Sequence, residues 1–417
     1  MEDKKLILSH SIFPATSDEL IDGYLLFEGD KITELKPGMP SSDLLNSAKV
    51  YDYRGMTVTP GLVDPHTHLV HGGSRENELA LKLAGASYME VHKEGGIKST
   101  VKHTREASNE ELYDKAYKTM QNMLLHGTTT VEGKSGYGLD KDTEIRVLEV
   151  NRALHESHAI DLVSTYMGAH DVPKEYESTD AYIKFMIEEV MPVVKERELA
   201  EFLDIFCEDK IYSLEETRKI AEAAKEMGFK LKVHADEIEP MGGAGLAAEL
   251  GATSAEHLMA ISDVDIKKMA KSGTVAVLLP ATTFFLRAKN FAPAKKMLKE
   301  GVTVAIATDY NPGSSPCENM QMAMDQACLG MGLLPREILI ATTINAAKAV
   351  CRDHLVGSLE PGKQADICVF DAKSPEFMSY HFGINNVAQV FKRGEHVVQN
   401  GQICNTAFNR AVKNKVK

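Results

Sequence analysis

Eight short runs of apolar and β-branched residues recur along this chain, most of them followed by a stretch patterned for a helix. That rhythm limits the available folds more than any other feature. The runs lie at 62–66, 128–132, 162–168, 202–207, 231–236, 254–258, 274–280 and 303–309. Near-continuous apolar strands are what a parallel sheet covered on both faces requires. Amphipathic stretches at 110–125, 142–157, 180–198, 214–227, 242–250, 263–272 and 292–300 separate most of them. Eight strands alternating with helices predict an α/β architecture, a (β/α)8 barrel of the TIM type. An open doubly wound sheet is the runner-up, but no Gly-x-Gly-x-x-Gly follows a strand.

The two ends read differently. Short strands at 5–9, 23–28, 31–35 and 49–52, and again at 365–371, 387–392 and 395–399, are punctuated by Gly and Pro. They predict a small β-sandwich built from both termini, residues 1–59 with 362–405, beside a barrel of residues 60–361. The polar, basic tail 406–417 is expected to fray. A chain of 417 residues has room for one large barrel and one small accessory domain.

A formal net charge of −13 disfavours nucleic acid and anionic membranes as partners, but not an anionic small-molecule substrate held by a local Arg. No run approaches the roughly eighteen apolar residues of a membrane span. The six cysteines are scattered without a CxxC pair, and no signal-peptide pattern follows Met1. Reduced thiols and a cytoplasmic location are expected.

The carboxyl ends of barrel strands are where chemistry gathers, and here those ends carry polar residues one after another. The first run closes on His66-Thr67-His68. Histidines two apart on a strand point the same way, so one metal ion can take both; two hydrogen-bonded histidines at a strand end would read the same. The fifth run carries His234, the sixth His257, and the eighth ends in Asp309. Alone, His234 reads as a core histidine and Asp309 as a helix cap. Together, three or four imidazoles and one carboxylate suit one divalent or trivalent transition metal ion, Zn or Fe, better than Mg²⁺ or Ca²⁺.

This ordered set resembles the amidohydrolase superfamily. Its two-metal members usually carry a bridging carboxylated Lys on strand four. Here that run ends Phe206-Cys207-Glu208-Asp209, with Lys134 after the second strand and Lys210 beyond the fourth, so a single metal is expected. The loops narrow the resemblance. They are Gly72-Gly73-Ser74-Arg75-Glu76-Asn77-Glu78, Ser135-Gly136-Tyr137-Gly138-Leu139, Gly168-Ala169-His170 and Thr308-Asp309-Tyr310-Asn311-Pro312-Gly313-Ser314. In order and spacing, over residues 5–405, they look like the imidazolonepropionase family. His71 departs from that pattern, where an aromatic residue such as Phe is expected; its position on the outgoing loop argues against a ligand role.

The resemblance implies hydrolysis of the cyclic amide bond of 4-imidazolone-5-propanoate to N-formimidoyl-L-glutamate, in histidine degradation, by a metal-activated water. It implies His66, His68, His234 and Asp309 as metal ligands. Glu237, His257 and Asp309 are the candidates for moving protons. Arg75, Tyr137, His170, Glu237, Asn311, Gly313 and Ser314 are the expected substrate contacts. The planar fork of Arg75 suits the substrate's propanoate, whereas Gly136 and Gly138 read at least as well as tight-turn residues. A deaminase on the same fold would use the same ligand set but gives no reason for the Arg75 loop or the SGYGL segment. A non-catalytic barrel should have lost ligands, and none is missing. Residues 72–96 are long enough for a lid, and a homodimer is the general prior for such an enzyme.

Overall fold

In the computed structural model the strands run, in chain order, β1 (Lys4–Ile12), β2 (Ile21–Glu28), β3 (Lys31–Pro37), β4 (Lys49–Asp52) and β5 (Thr57–Pro60). The barrel strands follow: β6 (Leu62–Asp64), β7 (Thr128–Lys134), β8 (Asp161–Ala169), β9 (Phe202–Cys207), β10 (Lys230–Ala235), β11 (Ser254–His257), β12 (Val275–Leu278) and β13 (Val304–Ile306). The chain ends in β14 (Ile367–Phe370), β15 (Val387–Lys392), β16 (Glu395–Gln399) and β17 (Gln402–Ile403). The structure describes residues 4–85 and 95–404. The middle of the expected lid, 86–94, and the tail 406–417 lie outside the described residues.

β6 to β13 pair in sequence order, every pair parallel. The seam between β6 and β13 is closed just beyond both strands. Thr67 bridges Tyr310, the His68 N–H donates to the Tyr310 carbonyl (2.8 Å), and the Asp309 N–H donates to that of His66 (3.1 Å). Buried Asp64 clamps the same seam, accepting the Thr308 N–H (3.1 Å) and hydroxyl (2.6 Å). β6 stops at Asp64, short of the expected His66, because Pro65 has no N–H to give the ladder. His66 and His68 therefore lie just past the strand, in chain held extended by the seam.

Helices pack outside the barrel, and their starts are written in sequence. Ser108 with Glu111 and Ser213 with Glu216 form capping boxes for Asn109–Leu125 and Leu214–Glu226. Asp140 caps Lys141–Ser157. The single helix expected at 180–198 is interrupted by a π turn at Met186–Val190. Pro192 follows it; without an N–H, proline cannot make the bond that an α-helix needs there. Three short helices after the eighth strand, Met320–Leu329, Pro335–Thr342 and Ile344–Ala349, were not anticipated. The last two pack on β13, β12 and β6, covering the seam.

Both chain ends build one nine-stranded sheet, ordered β17-β16-β15-β14-β5-β1-β2-β3 with β4 beside β1. β14 returns from the carboxyl-terminal region to lie antiparallel to β5. Alternation along β14 divides its neighbours: Ile367 and Val369 join Ile7, Phe27 and Phe391 in the sheet's own core, while Cys368 and Phe370 face the barrel core. Burying each such aliphatic or aromatic side chain contributes about 1.5–3 kcal/mol. Buried Lys392 ties the two parts together, reaching Asp366 (2.6 Å) and Asp161 of β8 (2.7 Å). Among the described residues no helix is long and apolar enough to cross a membrane.

Candidate active site

The carboxyl ends of the barrel strands bring His66, His68, His234, His257 and Asp309 together. Ligand-type atoms of His66, His68 and Asp309, and of His66, His234 and His257, lie within 4.8 Å of one another. Asp309 Oδ1 stands 3.3 Å from His66 Nε2 and 3.8 Å from His68 Nε2. His66 Nε2, His234 Nε2 and Asp309 Oδ1 are buried atoms without a hydrogen-bond partner. Buried polar atoms are rarely left unsatisfied, so several converging on one space fit a cation. Burial holds His66, His68 and His257 well below the ordinary imidazole range, and an uncharged imidazole keeps a lone pair for a metal.

The histidines are aimed from behind. His66 Nδ1 donates to Glu256 (2.7 Å) and His234 Nδ1 to Asp204 (3.1 Å), leaving each Nε2 facing the cluster. Thr282 donates to Asp309 Oδ2 (2.6 Å), leaving Oδ1 turned inward. His257 and Asp309 both have positive φ, +71° and +53°. Non-glycine residues adopt that region only where surroundings enforce it. At His257 it lets consecutive residues serve one site, Glu256 from beneath and His257 from the rim.

Beneath the histidines lies a layer that the sequence reading missed. Glu132, Lys134, Asp204, Lys232 and Glu256 are all fully buried. Lys134 Nζ pairs with Asp204 (2.7 Å) and Glu132 (2.8 Å). Lys232 Nζ reaches the Pro65 carbonyl (3.0 Å), Glu132 (3.2 Å) and Glu256 (3.5 Å). Lys134 is thus the last residue of β7, pointing into the barrel, and not a loop residue beyond it. The signal was present: Lys232 precedes His234 by two. Period two puts such a charge on the same face as the histidine of an otherwise apolar strand.

Arg75, Tyr137, His170, Glu237, Asn311, Gly313 and Ser314 line the same cavity as His68, His234, His257 and Asp309. Glu237 Oε1 lies 3.7 Å from His257 Nδ1, and burial, with Asp309 and Glu208 nearby, pushes its carboxyl up to about 8. His170 Nδ1 donates to the Gly136 carbonyl (3.0 Å), and its ring stacks on His68. His71 behaves as the expected aromatic would: Nδ1 donates to the His68 carbonyl (2.9 Å) and the ring packs on Tyr310.

Two loops carry most of these residues. Glu144, a further residue that sequence reading missed, accepts the N–H groups of Gly136, Gly138 and Leu139, holding Tyr137 at the cavity. A carboxylate in the first turn of a helix, just after a glycine-rich loop, was its signal. Gly136 has φ +110°, so the turn itself requires glycine there. Asn311 organises the other loop: Oδ1 accepts the Gly313 and Ser314 N–H groups (both 2.8 Å), and Nδ2 donates to the Asp309 carbonyl (2.7 Å). Gly313 lies flush against Arg75, where an added Cβ would come 2.0 Å from a guanidinium nitrogen. Gly313→Ala is expected to displace that nitrogen by about an ångström and to lower kcat/KM for an anionic substrate by roughly a hundredfold. Steady-state kinetics check this; an unchanged value would mean the guanidinium does not meet the substrate.

Residues 57–397 match the model of the amidohydrolase family. An imidazolonepropionase from Treponema denticola is 58% identical over 407 residues, covering 95% of this chain and 98% of that protein. Another, from Alkaliphilus metalliredigens, is 51% identical over 386 residues, 92% of each chain. Among solved structures, an adenosine deaminase from Xanthomonas campestris with bound zinc superposes with a TM-score of 0.74 at 18% identity, covering 98% of this chain and 95% of that one. An atrazine chlorohydrolase mutant from Arthrobacter aurescens, complexed with zinc and atraton, gives 0.75 at 19% identity, covering 97% and 98%. The structural matches speak for the barrel and end sheet; the sequence matches go further, and the chain belongs to the amidohydrolase family, among its imidazolonepropionases.

Proposed function

We propose that this chain opens the ring of 4-imidazolone-5-propanoate by hydrolysing its cyclic amide bond, giving N-formimidoyl-L-glutamate in histidine degradation. The observation carrying this reading is that one cavity holds both a cluster of unsatisfied ligand atoms and a nearly buried arginine fork. In this reading His66, His68, His234 and Asp309 hold one transition metal ion, zinc or iron, which supplies an acidified water and polarises the carbonyl. A single ion is favoured because the fourth strand offers Cys207 and no lysine, and Lys134 is already an ion-paired ammonium.

The remaining steps belong to side chains. The hydroxyl goes to the carbonyl carbon and a proton to the departing ring nitrogen. In this reading Glu237, whose carboxyl burial pushes up to about 8, bonds the ring and gives that proton. Neutral His257 beside it orients the water and bonds the developing oxyanion. In this reading the Asp309 carboxylate takes the proton the water loses. Arg75 takes the propanoate, Tyr137 and His170 wall the ring, and the Asn311–Ser314 loop borders the glutamate end. Free thiols at all six cysteines support a cytoplasmic location.

The test is to measure bound metal and follow consumption of imidazolone propanoate with and without chelator. Turnover that chelator stops, and that zinc or iron restores, is expected. A fully metallated sample that leaves the substrate intact would sink the assignment.

A further inference from the structure

Arg75 does not stand in the cavity alone. Its Nε donates to Glu78 Oε1 (2.9 Å) and one terminal nitrogen to Glu78 Oε2 (2.8 Å). Both side chains are nearly buried, 8% and 10% exposed. This side-on fork leaves the other terminal nitrogen against Gly313, at the cavity wall. Glu78 Oε1 also accepts the Gly96 N–H (2.9 Å), at the start of the helix Gly96–Glu106, whose preceding residue Gly95 has no side chain to cap it. Gly96 and Ile97 border the same cavity. One carboxylate therefore fixes both the arginine's direction and the helix end beside it.

We infer that Glu78 is the positioning residue behind the cavity's preference for carboxylate-bearing substrates. The inference rests on the reading that Arg75 takes the substrate's propanoate. An arginine side chain loses much rotamer freedom when it binds, and a partner that restricts it beforehand removes that loss from the binding step. Glu78 also balances the guanidinium's charge. Attraction for anions in general is then weakened, and recognition depends on whether a carboxylate meets the donors that Glu78 leaves facing the cavity. The two roles predict opposite effects of removing Glu78. Lost orientation weakens carboxylate binding, whereas a lost negative charge by itself strengthens it.

The experiment uses two competitive inhibitors of the metal-loaded enzyme, imidazole-4-propanoate and 4-propylimidazole. They share the ring and differ in the carboxylate, so the ratio of their Ki values isolates the anion's contribution. Arg75→Ala should bring the preference for the carboxylate close to one. Glu78→Ala and Glu78→Gln should each lower it by about tenfold or more, with metal content and the Ki of 4-propylimidazole near wild-type values. Gln is the same size as Glu but cannot accept the fork through both terminal atoms, and it is the decisive arm if the Ala variant does not fold. A preference unchanged or increased in Glu78→Gln, with Arg75→Ala still collapsing it, overturns the role of Glu78 and leaves Arg75 in place. A preference that survives Arg75→Ala overturns both, because the carboxylate then binds elsewhere.

Discussion

Asp309→Asn is expected to lower kcat by at least about a thousandfold without unfolding the protein. In the proposed reading two functions would be lost together, a ligand to the ion and the acceptor for the water's proton, and each such group is commonly worth about 10² or more. The amide keeps the carboxylate's shape, so an oxygen can still accept from Thr282. In the metal-free protein this change should not destabilise. Burial already pushes Asp309 up to about 6, which marks a carboxylate poorly solvated in its apo surroundings. An amide there carries no charge to bury. Metal analysis, kinetics at saturating metal and a denaturation midpoint in chelator separate these effects. Native kcat in the variant would remove Asp309 from the chemistry, and a collapsed apo midpoint would assign it a structural role instead.

Much of this was legible because each part obeys a local rule. The barrel followed from eight doubly buried strands, whose apolar runs are hard to mistake when helices alternate with them. The cluster followed from histidines and an aspartate at strand ends, where side-chain period two and the barrel's geometry leave little freedom. What escaped depends on contacts distant in sequence. Glu256 stands 190 residues from the imidazole it aims. Lys134 reads as a loop residue until Asp204, 70 residues later, is beside it. Glu78 reads as one more residue of the loop that carries Arg75 until it is seen closing on that guanidinium. The helices after the eighth strand escaped for another reason. Met320–Leu329 is buried on several sides and shows no clean amphipathic period, and Pro335–Thr342 and Ile344–Ala349 are too short to repeat one.

The buried layer makes the second large prediction. Lys134→Met keeps the side chain's volume but leaves Glu132 and Asp204 without the ammonium that lies within 2.8 Å of both. Breaking one side of a buried ion pair costs about 3–5 kcal/mol, because the survivors remain charged and unsolvated. A urea midpoint should fall accordingly. The fall should be larger in chelator than with metal bound. Two ammonium ions and three carboxylates leave this layer one formal negative charge, and Asp309 adds another above it. A divalent cation at the cluster balances both, so a bound ion partly substitutes for the lost ammonium. Adding Glu132→Gln removes one stranded carboxylate and should recover part of the loss, as interacting neighbours do in a double-mutant cycle. Equal destabilisation with and without metal would show that the layer and the cluster are electrostatically independent. A variant as stable as the parent would show that water or relaxation already solvates the pair.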